Sequence, residues 1–271
     1  MATRVVKLPD IKDQTGFRTI AIICLVLLYS PILILMIFSL NSGSIVTHWE
    51  GVNLHWYGVA LLNEDFHRAA KNTMIISLTA TVLSTGLATM AAIGMTRVKP
   101  WPGLGTSFMV INLPLMVPEI ITAVATLSFF ALLAGMFGLN FGIGNLILAH
   151  TVFCIPFAYM PIKARLEDLD LTLENAAADL YATPWNAFRR VTFPLLVPGI
   201  FSGMALAFIV SFDDFTITQL VAGPGQTTLP LYIWNQIRRP MTPEINAVST
   251  ILLLISMLFV SVSFVIARRR K

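Results

Sequence analysis

An all-α integral membrane protein with six spanning helices is the fold class that this sequence predicts. Three observations carry it. Of 271 residues, 56% are hydrophobic and only 12% charged, against about 25% charged in soluble domains; the mean hydropathy is +0.78. Six stretches reach the roughly 20 apolar residues that span a bilayer, near 20–40, 73–96, 106–134, 145–162, 195–222 and 246–267. Fourteen of the 18 Lys and Arg then fall on one side, the excess that cytoplasmic segments carry. Both termini are expected in the cytoplasm, and 1–271 is expected to form a single transmembrane domain.

The first span follows Arg4, Lys7, Lys12 and Arg18. Its apolar run exceeds the roughly 7–15 residues of a cleavable signal, and "IFSLNSGS" offers no A-x-A site, so it is expected to remain. The outer segment 41–71 carries Trp49, Trp56 and Tyr57. They read as interfacial anchors or as a docking surface for a soluble partner. His48, His55 and His67 lie on this segment and His150 begins the fourth span; at no ligand spacing, all four read as surface or capping histidines. Cys24 and Cys154 fall inside spans, so neither a disulfide framework nor a metal site is expected.

The inner loop 163–193 is the longest soluble piece. "LTLENAAADLYA" and "TPWNAFRRV" predict two short helices, the second with Thr183 as N-cap and Pro184 at its first position. Without chemistry of its own, this hairpin reads as a docking element or as an amphipathic connector lying on lipid. The outer loop "GPGQTTLPLYIWNQIRRPMTPE" is too punctuated by Pro and Gly for a plain span. A segment that dips back to line a pathway fits it, since irregular backbone at depth is tolerated only beside protein or water. The closing "RRRK" reads as a stop-transfer anchor on anionic lipid. The pI near 9.3 therefore reflects topology rather than nucleic-acid binding.

Neither G-x-x-x-x-G-K-[ST] nor H-E-x-x-H occurs. No catalytic residue and no metal are expected, and any ATP hydrolysis belongs to another subunit. Three acids do lie inside the expected spans: Glu119, Asp213 and Asp214. An Asp at a helix centre costs about 2.5–3.5 kcal/mol, so three cost roughly 7–10 kcal/mol at most. They should face a water-filled cavity or a subunit interface. One reading is a negative path for a cationic solute, with Phe212, Phe215 and Tyr232 adding cation–π attraction. The other is that they bond backbone freed at a helix break, for which Pro118 speaks. Asp213 and Asp214 stand about 100° apart on a helix, so which one faces a passage is open. Gly203, Ala207, Ser211, Asp214 and Thr218 form one small or polar stripe, suited to close helix packing or a cavity wall.

"ENAAADLYATPWNAFRRVTFPLLVPGI" resembles the cytoplasmic EAA loop of ABC-class importer permeases. Ala176, Ala177, Leu180, Ala182, Phe188, Val191, Pro194, Pro198 and Gly199 fit that pattern. Asn175 stands where the motif has Glu, with Glu174 just before it, and Tyr181 stands where a turn Gly is usual. "FDDFTITQLVAGPGQTTLPLYIW", "PEINAVSTILL" and "LPLMVPEIITA" extend the resemblance to the spermidine/putrescine branch, its second permease subunit in particular. The resemblance covers most of the chain.

It implies a type I permease fold in a bacterial inner (plasma) membrane, with no cofactor in this chain. ATP and Mg would be bound by a dimer of cytoplasmic ATPases. The implied partners are those ATPases, a homologous second permease and a periplasmic substrate-binding protein, with no nucleic acid. Glu174, Asn175, Ala176, Ala177, Asp179, Leu180, Tyr181 and Ala182 would couple the chain to the ATPase. A polyamine would move inward by alternating access. The same machine for an opine, iron or another small solute is the alternative. An independent ion-coupled transporter, with the three acids as a relay, has no reason to keep such a hairpin.

Overall fold

The computed structural model describes residues 15–46, 48–139, 141–238 and 242–268. Arg4, Lys7, Lys12, Arg239 and Arg269–Lys271 of the charge asymmetry lie outside them. The described residues are helical, with one isolated bridge between Asn41 and Val52. Among them, six helices are long and apolar enough to cross a membrane.

The chain packs as two units. The first holds residues 15–60 and 242–250. It opens with α1 (Thr15–Phe38), whose apolar side chains are mostly exposed, as suits a helix surrounded by lipid or partner helices. The loop after α1 is tied by the buried Asn41. Its Oδ1 accepts from the Glu50 and Gly43 amides at 2.9 and 3.3 Å, and its Nδ2 donates to the His48 and Ile45 carbonyls at 2.6 and 3.3 Å. Trp56 and Tyr57, on α2 (His55–Leu62), spend their polar ends inside this unit. Trp56 Nε1 donates to the Gly43 carbonyl at 3.0 Å, and the Tyr57 hydroxyl pairs with Ser39 Oγ at 2.7 Å.

The second unit holds residues 61–238 and 251–268. Its first helix, α3 (Glu64–Thr96), begins nine residues before the apolar run does. Asn63 caps it by accepting from the amides of Asp65 and Phe66, and Glu64 and Asp65 sit favourably at the positive end of the helix dipole. The third expected span is two helices, α4 (Leu104–Met116) and α5 (Glu119–Phe137). Pro118 separates them: it lacks an N–H and forces Val117 into an extended conformation, ψ 135°. Gly138, at φ 64°, closes α5 in the left-handed conformation that only Gly adopts without strain. Next come α6 (Ile143–Glu167), α7 (Leu171–Asp179) and α8 (Pro184–Ala187). As the sequence predicts, Thr183 caps α8, accepting from the Asn186 amide. A π turn (Phe188–Thr192) then runs without a break into α9 (Phe193–Phe212). The fifth expected span is also interrupted, at Asp213–Phe215, before α10 (Thr216–Val221). The outer loop forms a short helix, α11 (Leu229–Ile237), and α12 (Glu244–Arg268) passes from the first unit into the second.

α3, α6 and α9 pack on one another. α6 and α9 run antiparallel in a fixed register: Ala158 faces Gly203, Cys154 faces Ala207 and His150 faces Ser211. A Cβ on Gly203 would stand 2.6 Å from the Ala158 carbonyl oxygen, so the glycine is what lets the two backbones meet. The small stripe Gly203–Ala207–Ser211 is thus a packing face. Two apolar clusters fill the unit, one around Tyr159, Ile162, Leu166 and Leu196, the other around Ile76, Leu146, Phe153 and Ile217.

Candidate functional site

The two helix breaks lie side by side, because α10 packs against α5. Glu119 opens α5 directly after Pro118. Asp213 is the last cap of α9, and Asp214 follows it in the gap before α10. With Phe153, Phe157, Val210, Phe215 and Thr216, all three acids line one cavity of about 320 Å³. That is within the roughly 300–1,000 Å³ of small-molecule sites.

The two aspartates differ in what they do. The Asp214 side chain is 1% exposed. Its carboxylate accepts from the amides of Ile217 and Thr218 at 3.3 and 3.0 Å and from the Thr218 hydroxyl at 3.0 Å. It therefore satisfies the first turn of α10, whose N–H groups the break leaves open. His150 stands against it, Nε2 at 3.3 Å from Asp214 Oδ2 and 3.2 Å from Thr218 Oγ1, with Nδ1 2.8 Å from Ser211 Oγ. Against an ionised Asp214, which only accepts, a proton on Nε2 would complete the contact. Asp213 is exposed, and its own amide closes the last turn of α9 on the Ile209 carbonyl. Glu119 is half-buried, beside Asp214 and the Thr216 hydroxyl. Asp213 and the half-buried Glu119 are thus the more open acids of the cavity, while Asp214, beside Glu119 at its inner wall, holds the break.

Glu119 and Asp213 line the same cavity, where the C-terminal end of α9 presents the negative end of its dipole and the first turns of α5 and α10 present positive ends that the carboxylates offset. Among the described residues no Lys or Arg pairs with any of the three acids, and no three His, Cys, Asp or Glu side chains converge at metal-ligand spacing. The rings of Phe153 and Phe157, with centroids 5.5 Å apart, form the apolar wall of the cavity.

Of the aromatics that the sequence singles out, only Phe215 reaches the cavity, braced on Trp234 at 5.0 Å. Phe212 is 1% exposed and stacks on Phe208, which stacks on Phe259, so its ring is spent in the core. The Tyr232 hydroxyl accepts from Asn63 Nδ2 at 3.0 Å and Gln236 Nε2 at 2.8 Å, and lines a separate polar pocket with Asp65 and Arg68. His150 is not a surface or capping histidine: it is buried at the α6–α9 contact, where its ring fills the gap left by Ser211. Sequence reading also missed Phe153 and Phe157. Their one signal is i, i+4 spacing on α6.

The loop between α6 and α9 is a helical hairpin. Asp170 caps α7 by accepting from the Thr172 amide at 2.9 Å, which holds its carboxyl below the usual carboxylate range. α7 ends in a Schellman turn: the Ala182 amide donates to the Ala177 carbonyl and the Tyr181 amide to that of Ala178. Tyr181 occupies the left-handed position of that turn at φ 58° and is 96% exposed. Asn175, Ala176, Asp179 and Leu180 are exposed with it, Ala177 and Ala182 half-buried. Glu174 turns inward to Arg97.

A family model described as the inner membrane component of binding-protein-dependent transport systems matches residues 110–269. The chain is 38% identical over 228 residues to the putrescine transport system permease protein PotI of Escherichia coli, covering 83% of this chain and 81% of that one. It is 32% identical over 245 residues to the spermidine/putrescine transport system permease protein PotC of the same organism, covering 89% of each. In fold it matches a chain of a bacterial ABC transporter that imports the acidic polysaccharide alginate, with a TM-score of 0.77 at 17% identity over 95% of this chain and 96% of that one.

Proposed function

The chain belongs to the family of binding-protein-dependent transport inner membrane components, and we propose that within it the substrate is a polyamine. It is a multi-pass permease subunit, not an enzyme. The observation that carries the substrate reading is that Glu119 and Asp213 line one cavity at the two helix breaks, with Asp214 between them and the first turn of α10. A polyammonium needs carboxylates to replace its hydration, and here two are held at helix ends with no Lys or Arg paired to them among the described residues. The relatives named for putrescine and spermidine transport point to the same chemistry.

In this reading residues 1–271 form one transmembrane permease domain of a bacterial inner membrane, with both termini and the 163–193 loop in the cytoplasm. A homologous permease completes the pathway. A dimer of ATPases, which binds ATP and Mg, receives the exposed face of the hairpin around Leu180, Tyr181 and Trp185. A periplasmic binding protein delivers the substrate to the outer loops. ATP binding closes the ATPases, and α9 carries that movement to the acid pair at its other end.

The ligand of the cognate binding protein tests the substrate directly. Purified from cells and released by denaturation, it should be a polyamine by mass spectrometry. A neutral or anionic ligand would move the chain to another solute.

A further inference from the structure

The inner end of the second unit holds an ion pair that substrate binding does not use. Arg97 follows the last turn of α3. Its Nε donates to Glu174 Oε1 at 3.0 Å and its Nη2 to the Leu166 carbonyl at 3.0 Å. The same Glu174 oxygen accepts from Thr192 Oγ1 at 3.1 Å. One guanidinium therefore joins the ends of α3 and α6 to α7 and, through Glu174, to the π turn at the foot of α9. The two side chains are 16% and 27% exposed, so the pair is mostly withdrawn from water. Beside it, Arg165 of α6 donates to the Leu195 carbonyl in the first turn of α9 at 3.0 Å.

The site of this pair matters because of what lies beyond it. α9 is continuous over 20 residues with Pro198 inside its second turn, about 30 Å long at 1.5 Å per residue, with the foot at Thr192 and Asp213 at its far end. Its face towards α6 has no slack, since Gly199 and Gly203 already bring it into contact with Arg165 and the Ala158 backbone. A displacement of the hairpin reaches the cavity only if hairpin, foot of α9 and inner ends of α3 and α6 move as one body. Arg97 and Glu174 join the hairpin to the other three, through the Leu166 carbonyl and the Thr192 hydroxyl, in addition to the Arg165 bond between α6 and α9.

We propose that Arg97 and Glu174 are positioning residues of the transport cycle, which fasten the hairpin to α3, α6 and α9 so that a push from the ATPase shifts the cavity. The proposal rests on the permease reading above. It assigns Glu174 to the inside of this chain rather than to the ATPase surface, and it requires the pair to stay closed throughout the cycle.

The test uses the complete transporter in proteoliposomes, with substrate uptake and ATP hydrolysis stimulated by the loaded binding protein measured in parallel. Arg97→Ala and Glu174→Ala should each leave the ATPase bound and hydrolysis within about threefold of wild type. Substrate moved per ATP should fall by about tenfold, a typical coupling for side chains in contact. Glu174→Gln, whose amide oxygen can still accept from Arg97 and Thr192, should keep that ratio within about threefold of wild type. Single variants that stay fully coupled overturn the proposal, as does a Glu174→Gln variant as uncoupled as Glu174→Ala. Loss of the ATPase from either single variant also overturns it, because the pair would then shape the docking surface rather than transmit through it. A wild-type complex without any ATP-driven uptake overturns the permease reading itself, and this proposal with it.

Discussion

Replacing Asp214 by Ala should destabilise the fold, whereas replacing Asp213 by Asn should leave its stability nearly unchanged. Four groups point at the Asp214 carboxylate: the Ile217 and Thr218 amides, the Thr218 hydroxyl and His150 Nε2, all between 3.0 and 3.3 Å. Truncation leaves these donors buried and unsatisfied. Removing one partner of a buried charged network costs about 3–5 kcal/mol. At roughly 2–4 °C per kcal/mol for a chain of this size, the thermal midpoint should fall by roughly 6–20 °C. Asp213 is exposed, and such a change costs within about 0.5 kcal/mol, or roughly 1–2 °C. The assay is thermal unfolding of the detergent-solubilised complex, all variants at one scan rate because such proteins unfold irreversibly. His150→Ala should behave as Asp214→Ala does, in weaker form. Equal midpoints for Asp214→Ala and Asp213→Asn would refute the division of labour between the two acids.

Two further variants probe the frame around the site. Gly203→Leu places a side chain where even a Cβ meets the Ala158 carbonyl oxygen at 2.6 Å. It should destabilise the chain by about 1–3 kcal/mol or more and lower its yield in the membrane, while Ser202→Leu, on an exposed position of the same helix, should be tolerated. Tyr181→Gly relieves a left-handed non-glycine residue. It should raise the thermal midpoint, by an amount equivalent to about 1 kcal/mol. If the midpoint falls instead, Tyr181 holds contacts that its exposure does not reveal.

Much of the frame is legible in the sequence because local chemistry sets it. Apolar length finds the spans, Thr183–Pro184 restarts the chain in the inner loop, and the stripe from Gly203 to Ser211 narrows to a tight helix contact or a cavity wall, of which the structure makes the first. Pro118 marks the first break, since proline acts through its own backbone. The second break carries no proline. It exists because Asp214, Thr218 and His150 close on one another, and His150 lies 68 residues from Thr218 in the chain. Arg97 and Glu174 are 77 residues apart, and neither has a local pattern that names the other. Phe212 and Phe215 look alike in sequence, yet one packs on Phe208 and the other on the cavity, because the backbone turns between them. Long-range pairing and the exact place where a helix stops are what the sequence withholds.

The polyamine reading requires Glu119 and Asp213 together to hold the cation. Concentration-dependent uptake of labelled putrescine by the reconstituted transporter, comparing wild type with the double variant Glu119→Gln and Asp213→Asn, tests it most directly. Each lost ion contact of this kind is worth about 1.5–3 kcal/mol, so uptake at low substrate should fall by at least about a hundredfold, with the complex assembled and its thermal midpoint near that of wild type. Unchanged uptake from a correctly assembled double variant would contradict the account.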